Sequence, residues 1–240
     1  MISKNTLLRI CLWRGLILIA VGTVQLAEGQ SPAPAPAAKP APSRTLRIAL
    51  TDSHSPLREI IVQTAEKEFQ TVTLDPYRLS EPLTLKSQPT QLNFLGKPPG
   101  SVPTQPIATV AVPEAMRHLL VVLEPDSTKE SGAHLAFVLN EADFPSQSIW
   151  FLNGTPRSIA IQLGNEWQTI VPGASHLLRP SAKDGEALGV QMVFYEKEKW
   201  RAFSSTRWSL PRGQRHLVFF NVNPRTQRMD YNSLTDYLPY

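Results

Sequence analysis

The stretch Arg157–Ile170 reads RSIAIQLGNEWQTI, and in its two arms apolar and polar residues alternate on either side of Gly164-Asn165. Such alternation is typical of β-strands with one buried face, and a Gly-Asn pair between two strands is typical of a tight hairpin turn. A second stretch, Arg58–Val72, reads REIIVQTAEKEFQTV and matches the first in order, with one more residue in the turn. We interpret both stretches as β-hairpins, although Ser55-Pro56 would also suit the start of a helix.

A second pair of matching segments indicates that the whole unit is duplicated. Pro113–Leu119 and Pro211–Leu217 both read P-x-x-x-R-H-L, at almost the same offset along the chain as the two hairpins. Two collinear matches indicate an internal repeat, and about seven short strands per copy are typical of an immunoglobulin-like sandwich. We therefore predict an all-β protein of two tandem immunoglobulin-like antiparallel β-sandwich repeats, residues 44–127 and 128–240, with a linker near Asp126–Gly132.

The N-terminus carries a different signal. Three basic residues, Lys4, Arg9 and Arg14, precede the apolar run Gly15–Leu26, and small residues suit cleavage after residue 29. This pattern predicts a secretory signal peptide at residues 1–29 and export to the periplasm, the cell surface or the exterior, with an uncleaved anchor as the alternative. Residues 30–43 are rich in Pro and Ala, which predicts an extended spacer or a disordered tail.

Composition narrows the classes of function. The net charge of +4 is small and gives no general case for binding nucleic acid or a membrane surface. The only cysteine, Cys11, lies in the predicted signal peptide, so the mature chain has no disulfide to stabilise it. Because a sandwich of about 80 residues is marginally stable alone, we expect the two copies to pack on each other.

No catalytic or metal-binding motif stands out. The five histidines lack metal-ligand spacing, and His118 and His216 are interpreted as structural residues at strand starts. Asp52–Ser55 holds residue types used in nucleophilic catalysis, but adjacent residues on one turn rarely form a triad. We therefore expect a non-enzymatic protein without a cofactor or a metal.

The last strands of the second copy contain the best candidate for a partner surface. Residues 199–229 hold seven basic residues and no Asp or Glu, and four tryptophans lie in this copy. Charged residues in such strands also protect sheet edges, which is the favoured reading of the arginines. Trp150 and Trp167 are expected in the core. The candidate surface consists of Trp200, Arg201, Arg207, Trp208, Arg212 and Arg215.

The segment Ile149–Pro156, IWFLNGTP, followed by SIAIQ and a Pro172-Gly173 turn, resembles exported bacterial tandem β-sandwich proteins of unknown function. Their repeats open with a strand ending in Asn-small-Ser/Thr-Pro. The resemblance implies fold and export, and it implies nothing catalytic.

The leading hypothesis is a cell-envelope or secreted module that mediates contacts with another envelope protein or the envelope itself. We expect no nucleic acid partner, and we expect membrane contact only through an uncleaved signal segment. The alternative is a module that binds a cell-surface glycan or anionic polymer through the aromatic and arginine residues of the second repeat.

Overall fold

The computed structural model describes residues 43–52, 55, 57–65, 67–96, 105–126, 132–181, 183–223 and 226–238. The predicted signal peptide and nearly all of the predicted spacer lie outside these ranges. The described residues form sixteen β-strands and one 3₁₀ turn, Glu141–Asp143. Within them, no helix has the length and apolar character needed to cross a membrane.

The described residues of the first repeat form eight strands in two four-stranded sheets. The strands are β1 (Arg44–Leu50), β2 (Glu59–Ala65), β3 (Glu68–Thr73), β4 (Leu83–Leu85), β5 (Gln91–Gly96), β6 (Ala108–Ala111), β7 (His118–Pro125) and β8 (His134–Asn140). One sheet, outer sheet 1, has the order β3-β2-β5-β6, and the other, inner sheet 1, has the order β4-β1-β7-β8.

The described residues of the second repeat form eight strands in the same arrangement. The strands are β9 (Ile149–Asn153), β10 (Ile159–Leu163), β11 (Glu166–Ile170), β12 (Ser175–Leu178), β13 (Ala187–Glu196), β14 (Lys199–Ser209), β15 (Gln214–Val222) and β16 (Met229–Tyr237). Inner sheet 2 has the order β12-β9-β15-β16, and outer sheet 2 has the order β11-β10-β13-β14. One parallel pair per repeat, β1 with β7 and β9 with β15, interrupts the otherwise antiparallel pairing. The prediction of an all-β fold with two tandem sandwich repeats is confirmed.

The two matching stretches form equivalent hairpins. Ile159 pairs with Ile170 across β10 and β11, and all of the apolar residues at 159, 161 and 170 are buried. Ile60 pairs with Val72 in the same way across β2 and β3. The helix that Ser55-Pro56 would have suited does not form, because alternate apolar residues of this segment cover one face of a sheet.

Three apolar clusters hold four sheets together in a stack. One cluster fills each sandwich, between its inner and its outer sheet. The third cluster lies between the two inner sheets and includes Leu120 and Val122 from β7 with Leu217 and Phe219 from β15. The copies therefore pack on each other as expected, and the inner sheets are covered on both faces.

The boundary between the repeats differs from the predicted one. A division between residues 127 and 128 would separate β7 from β8, which are hydrogen-bonded neighbours in inner sheet 1. The first repeat therefore continues to Asn140, and residues 141–148 connect the copies. Of the predicted linker, residues 127–131 lie outside the described residues.

In both copies the P-x-x-x-R-H-L segment forms the turn before a strand, but the leucine faces a different side of that strand in each copy. Leu119 points into the core of the first sandwich, whereas Leu217 points into the interface between the copies. His118 is exposed at the first residue of β7, and His216 lies inside β15 beside Thr235. The two histidines both sit near strand starts but do not occupy equivalent environments.

The Asn-Gly-Thr-Pro motif is an internal brace for the turn after β9. Asn153 is fully buried, its amide donates to the carbonyl oxygens of Arg157 and Ile170, and its Oδ1 accepts from the Thr155 amide and hydroxyl. At Gly154, a Cβ atom would approach the Phe220 carbonyl oxygen to 3.2 Å. The motif thus has a complete structural explanation.

A cluster of four charged residues joins the two copies at the edge of their interface. Arg47 of β1 and Arg215 of β15 both contact Glu141, in the connecting segment, and Asp236 of β16. Arg215 also donates to the Phe144 carbonyl oxygen, and its guanidinium lies 4.6 Å from the centre of the Phe144 ring. Two positive and two negative groups balance within the cluster, which makes their burial tolerable.

Candidate binding face of the second sandwich

A β-bulge in β14 decides which of its side chains share a face. The register shifts between Met192, which pairs with Ser204, and Val193, which pairs with Ala202, so Phe203 is the extra residue. Such a bulge reverses the alternation of the strand beyond it. Consequently Trp200 and Trp208 point to opposite faces of outer sheet 2, although an even number of residues separates them.

The predicted candidate surface is therefore divided. Trp208 lies against the core of the second sandwich, where its ring stacks at 6.0 Å on Phe151. Arg215 is 3% exposed and belongs to the charged cluster between the copies, so its assignment to a surface was wrong. The remaining four residues are exposed, but they do not form one stripe: Trp200, Arg201, Arg207 and Arg212.

Two of these exposed arginines already have acidic partners. Arg201 pairs with Glu196 at 3.4 Å, and Arg212 approaches Asp184 at 3.8 Å. Arg201 and Arg207 both lie on β14, the edge strand of outer sheet 2, where charged side chains discourage pairing with another chain. This position agrees with the interpretation of the arginines as edge protection.

Three aromatic side chains stand on the solvent face of outer sheet 2. Trp167 is 52% exposed, Tyr195 44% and Trp200 47%, and the last two rings lie 5.2 Å apart. We call these three residues the aromatic face. The expectation that Trp167 lies in the core was wrong, whereas Trp150 is buried between the copies as expected. Tyr195 was not singled out from the sequence, although the polar turn Glu196–Lys199 between two alternating segments places it opposite Trp200.

Beside the aromatic face lies an open groove of about 380 Å³. Gly189 forms part of its floor, and a Cβ atom there would meet nothing within 4 Å. The side chains around it are mainly amides, a hydroxyl and a guanidinium: Gln162, Gln191, Ser205 and Arg207. In the described part of the chain, these four side chains have no hydrogen-bond or ion-pair partner, so their polar groups are open to a ligand.

The same row of residue types crosses the outer sheet of both repeats. In outer sheet 2 the row runs Trp167, Gln162, Gln191, Ser205 across β11, β10, β13 and β14. In outer sheet 1 the equivalent strands carry Phe69, Gln63, Asn93 and Thr109. An aromatic ring, two carboxamides and a hydroxyl thus follow one another in each copy.

The two rows differ in how their polar groups are used. In the first repeat the Asn93 amide donates to Gln63 at 3.1 Å, and its oxygen accepts from Thr109 at 3.0 Å. The polar side chains of this row form hydrogen bonds with one another, whereas no such bond joins the described side chains of the row in the second repeat. Of the two outer faces, the second is therefore the better candidate for a binding site.

Within the described ranges, no three His, Cys, Asp or Glu residues are placed to hold a metal ion. Ser53 and His54 of the Asp52–Ser55 segment lie outside the described residues.

One carboxyl group has an unusual environment at the other end of the interface between copies. Glu124, at the end of β7, is buried beside Gly154 of the second repeat. The pKa of its carboxyl is raised from 4.5 to about 7, mainly by burial and in part by the nearby charge of Asp52. Glu124 does not line the groove of outer sheet 2, and we treat it as a structural group.

Glu124→Gln is expected to make the protein more stable than the wild type at pH 8, with no difference below pH 4.5. The folded carboxyl keeps its proton up to about pH 7, whereas the unfolded one loses it near its ordinary pKa. Wild-type stability should therefore fall as pH rises through this window, by roughly 3 kcal/mol at most, and glutamine removes that loss. Urea unfolding of both proteins at pH 4.5, 6 and 8 measures the difference. A constant difference at all three values would contradict the assignment.

Comparison with known protein families and with curated proteins gives no match to this chain at a significant level.

Proposed function

We propose that this chain is a non-enzymatic exported module that contacts a component of the cell envelope through outer sheet 2. The observation that carries the proposal is the aromatic face, since three half-exposed large rings on one sheet face are unusual for a surface without a partner. Aromatic residues are enriched at the centres of binding interfaces because they offer large contact areas at low entropic cost.

Export supports the same function. The basic residues Lys4, Arg9 and Arg14 and the apolar run Gly15–Leu26 have the form of a signal peptide. The Pro/Ala-rich segment 30–43 would act as a stalk between a membrane or export machinery and the folded repeats. The inner sheets supply a rigid support, because both of their faces are buried.

The double variant Trp167→Ala/Trp200→Ala is expected to bind the envelope fraction of the source organism at least 10-fold more weakly than the wild type, the loss of two interface aromatics. Co-sedimentation of the mature protein with that fraction measures the binding. Both rings are half exposed, so the free energy of unfolding should change by less than about 1 kcal/mol.

Phe69→Ala is the matched control, because Phe69 occupies the equivalent position in the first repeat and is 54% exposed. It should bind like the wild type. A wild-type protein that does not sediment with the envelope, or that turns over an envelope substrate and loses this activity on a point mutation, would overturn the proposal.

A further inference from the structure

We propose that the ligand of outer sheet 2 is an acidic polysaccharide, a chain of sugar units that carry carboxylates. The inference rests on the proposed function, since it takes the aromatic face as the contact surface. It assigns the class of ligand from the aromatic rings, the groove beside them and the charge of the face.

The aromatic rings stand at two separated places on the face. Tyr195 and Trp200 form a pair at the end of the β13–β14 hairpin, and Trp167 lies two strands across and four residues along the sheet. Standard strand spacings put Trp167 about 17 Å from Tyr195. A short oligosaccharide spans this distance, and its sugar rings present C–H faces that pack on aromatic rings.

The residues between the groove and the Tyr195–Trp200 pair have short side chains. Ala160, Val193 and Ala202 form the row between the groove and the Tyr195–Trp200 pair, and none of them has a long side chain. Ala160 and Val193 are only 5% and 7% exposed, so neighbouring side chains cover most of this row, whereas Ala202 is exposed. A linear polymer that crosses the sheet between the rings would therefore contact Ala202 and the side chains beside the row.

The groove supplies hydrogen bonds of the type that sugars need. Gln162, Gln191 and Ser205 carry both donors and acceptors, which match hydroxyl groups that also donate and accept. In the first repeat the equivalent amides bond to each other. Because the described structure gives the second row no such internal partner, a ligand would not have to break existing hydrogen bonds.

The charge of the face selects an acidic ligand. Among the described side chains that point outward from the four strands of outer sheet 2, Arg207 is the only formally charged one. It borders the groove, and no described residue forms an ion pair with it. A guanidinium binds a carboxylate through two parallel hydrogen bonds.

The test is calorimetric titration of the mature protein with an oligogalacturonate hexamer and with its methyl ester, which has the same backbone without the charges. We expect the wild type to bind the acid at least 10-fold more tightly than the ester. Trp167→Ala/Trp200→Ala should weaken binding of both ligands by about 10-fold. Arg207→Gln should bring the affinity ratio of acid to ester close to one, and Phe69→Ala should change neither affinity.

Several outcomes would overturn the inference. Absence of binding to both hexamers at millimolar concentration would remove this ligand class, and an unchanged acid-to-ester ratio in Arg207→Gln would remove the assigned anion contact. If the protein still sediments with the envelope but binds neither hexamer, the contact function stands and the ligand class fails. Loss of envelope binding after protease treatment of the envelope, but not after polysaccharide hydrolysis, would identify a protein partner instead.

Discussion

Asp236→Asn is expected to lower the free energy of unfolding by about 3 kcal/mol, as is typical when one partner of a buried ion pair is removed. Asp236 accepts from Arg215 at 2.8 Å and also contacts Arg47 of the first repeat. The neutral amide would leave the buried guanidinium of Arg215 and the partly buried guanidinium of Arg47 with one carboxylate, Glu141. Urea unfolding at pH 7, followed by tryptophan fluorescence, measures the change.

The surface pair of Arg212 and Asp184 provides the matched control. Their side chains are 78% and 52% exposed, and Asp184→Asn should cost less than about 1 kcal/mol because solvent screens such pairs. The double variant Arg215→Met/Asp236→Leu should recover part of the loss, since it leaves fewer unpaired buried charges. Equal losses for Asp236→Asn and Asp184→Asn would show that the cluster between the copies has no special weight.

Phe219→Ala is expected to destabilise both repeats together, by about 3–5 kcal/mol, the usual range for deleting a buried phenylalanine ring. Phe219 is 2% exposed and belongs to the cluster between the inner sheets, together with Leu120 and Leu152. A cavity there removes contacts from both copies, so the whole protein should unfold in one transition at lower urea.

Hydrogen exchange of backbone amides distinguishes this result from damage to one repeat. In Phe219→Ala, protection should fall in β7 of the first repeat as well as in β15. Phe69→Ala, which removes an exposed ring of the same size, should leave protection unchanged. Loss confined to the second repeat would mean that the copies fold independently.

Much of the fold was predictable from local patterns. Strict alternation in Ile159–Leu163 and its counterpart in β2 fixed the hairpins, and their collinear matches fixed the duplication. The covered inner sheets were also visible in principle, because Leu119–Leu123 is a continuous apolar run, as expected of a strand buried on both faces. That run, if used, would have indicated that β7 lies between two apolar layers, and so would have placed the interface on its second face.

The candidate site was harder to predict, for two physical reasons. The bulge at Phe203 depends on how β14 fits β13, so uniform alternation assigned Trp200 and Trp208 to one face. Arg215 looked exposed because its partners, Glu141 and Asp236, are distant in sequence. Trp167 was within reach, since it lies three residues before the buried Ile170 and therefore faces the opposite side.

The stacking of the four sheets also prevents the two outer faces from binding one stretch of polymer at the same time. The two outer faces carry related rows but point in opposite directions, about 30 Å apart at the usual spacing of packed sheets. A short stretch of a rigid polymer therefore cannot contact both faces. Binding at one face does not raise the effective concentration of that stretch at the other face. On the proposed function each chain offers one binding face, outer sheet 2, so any strong avidity for a polymer would have to come from several copies of the protein along it.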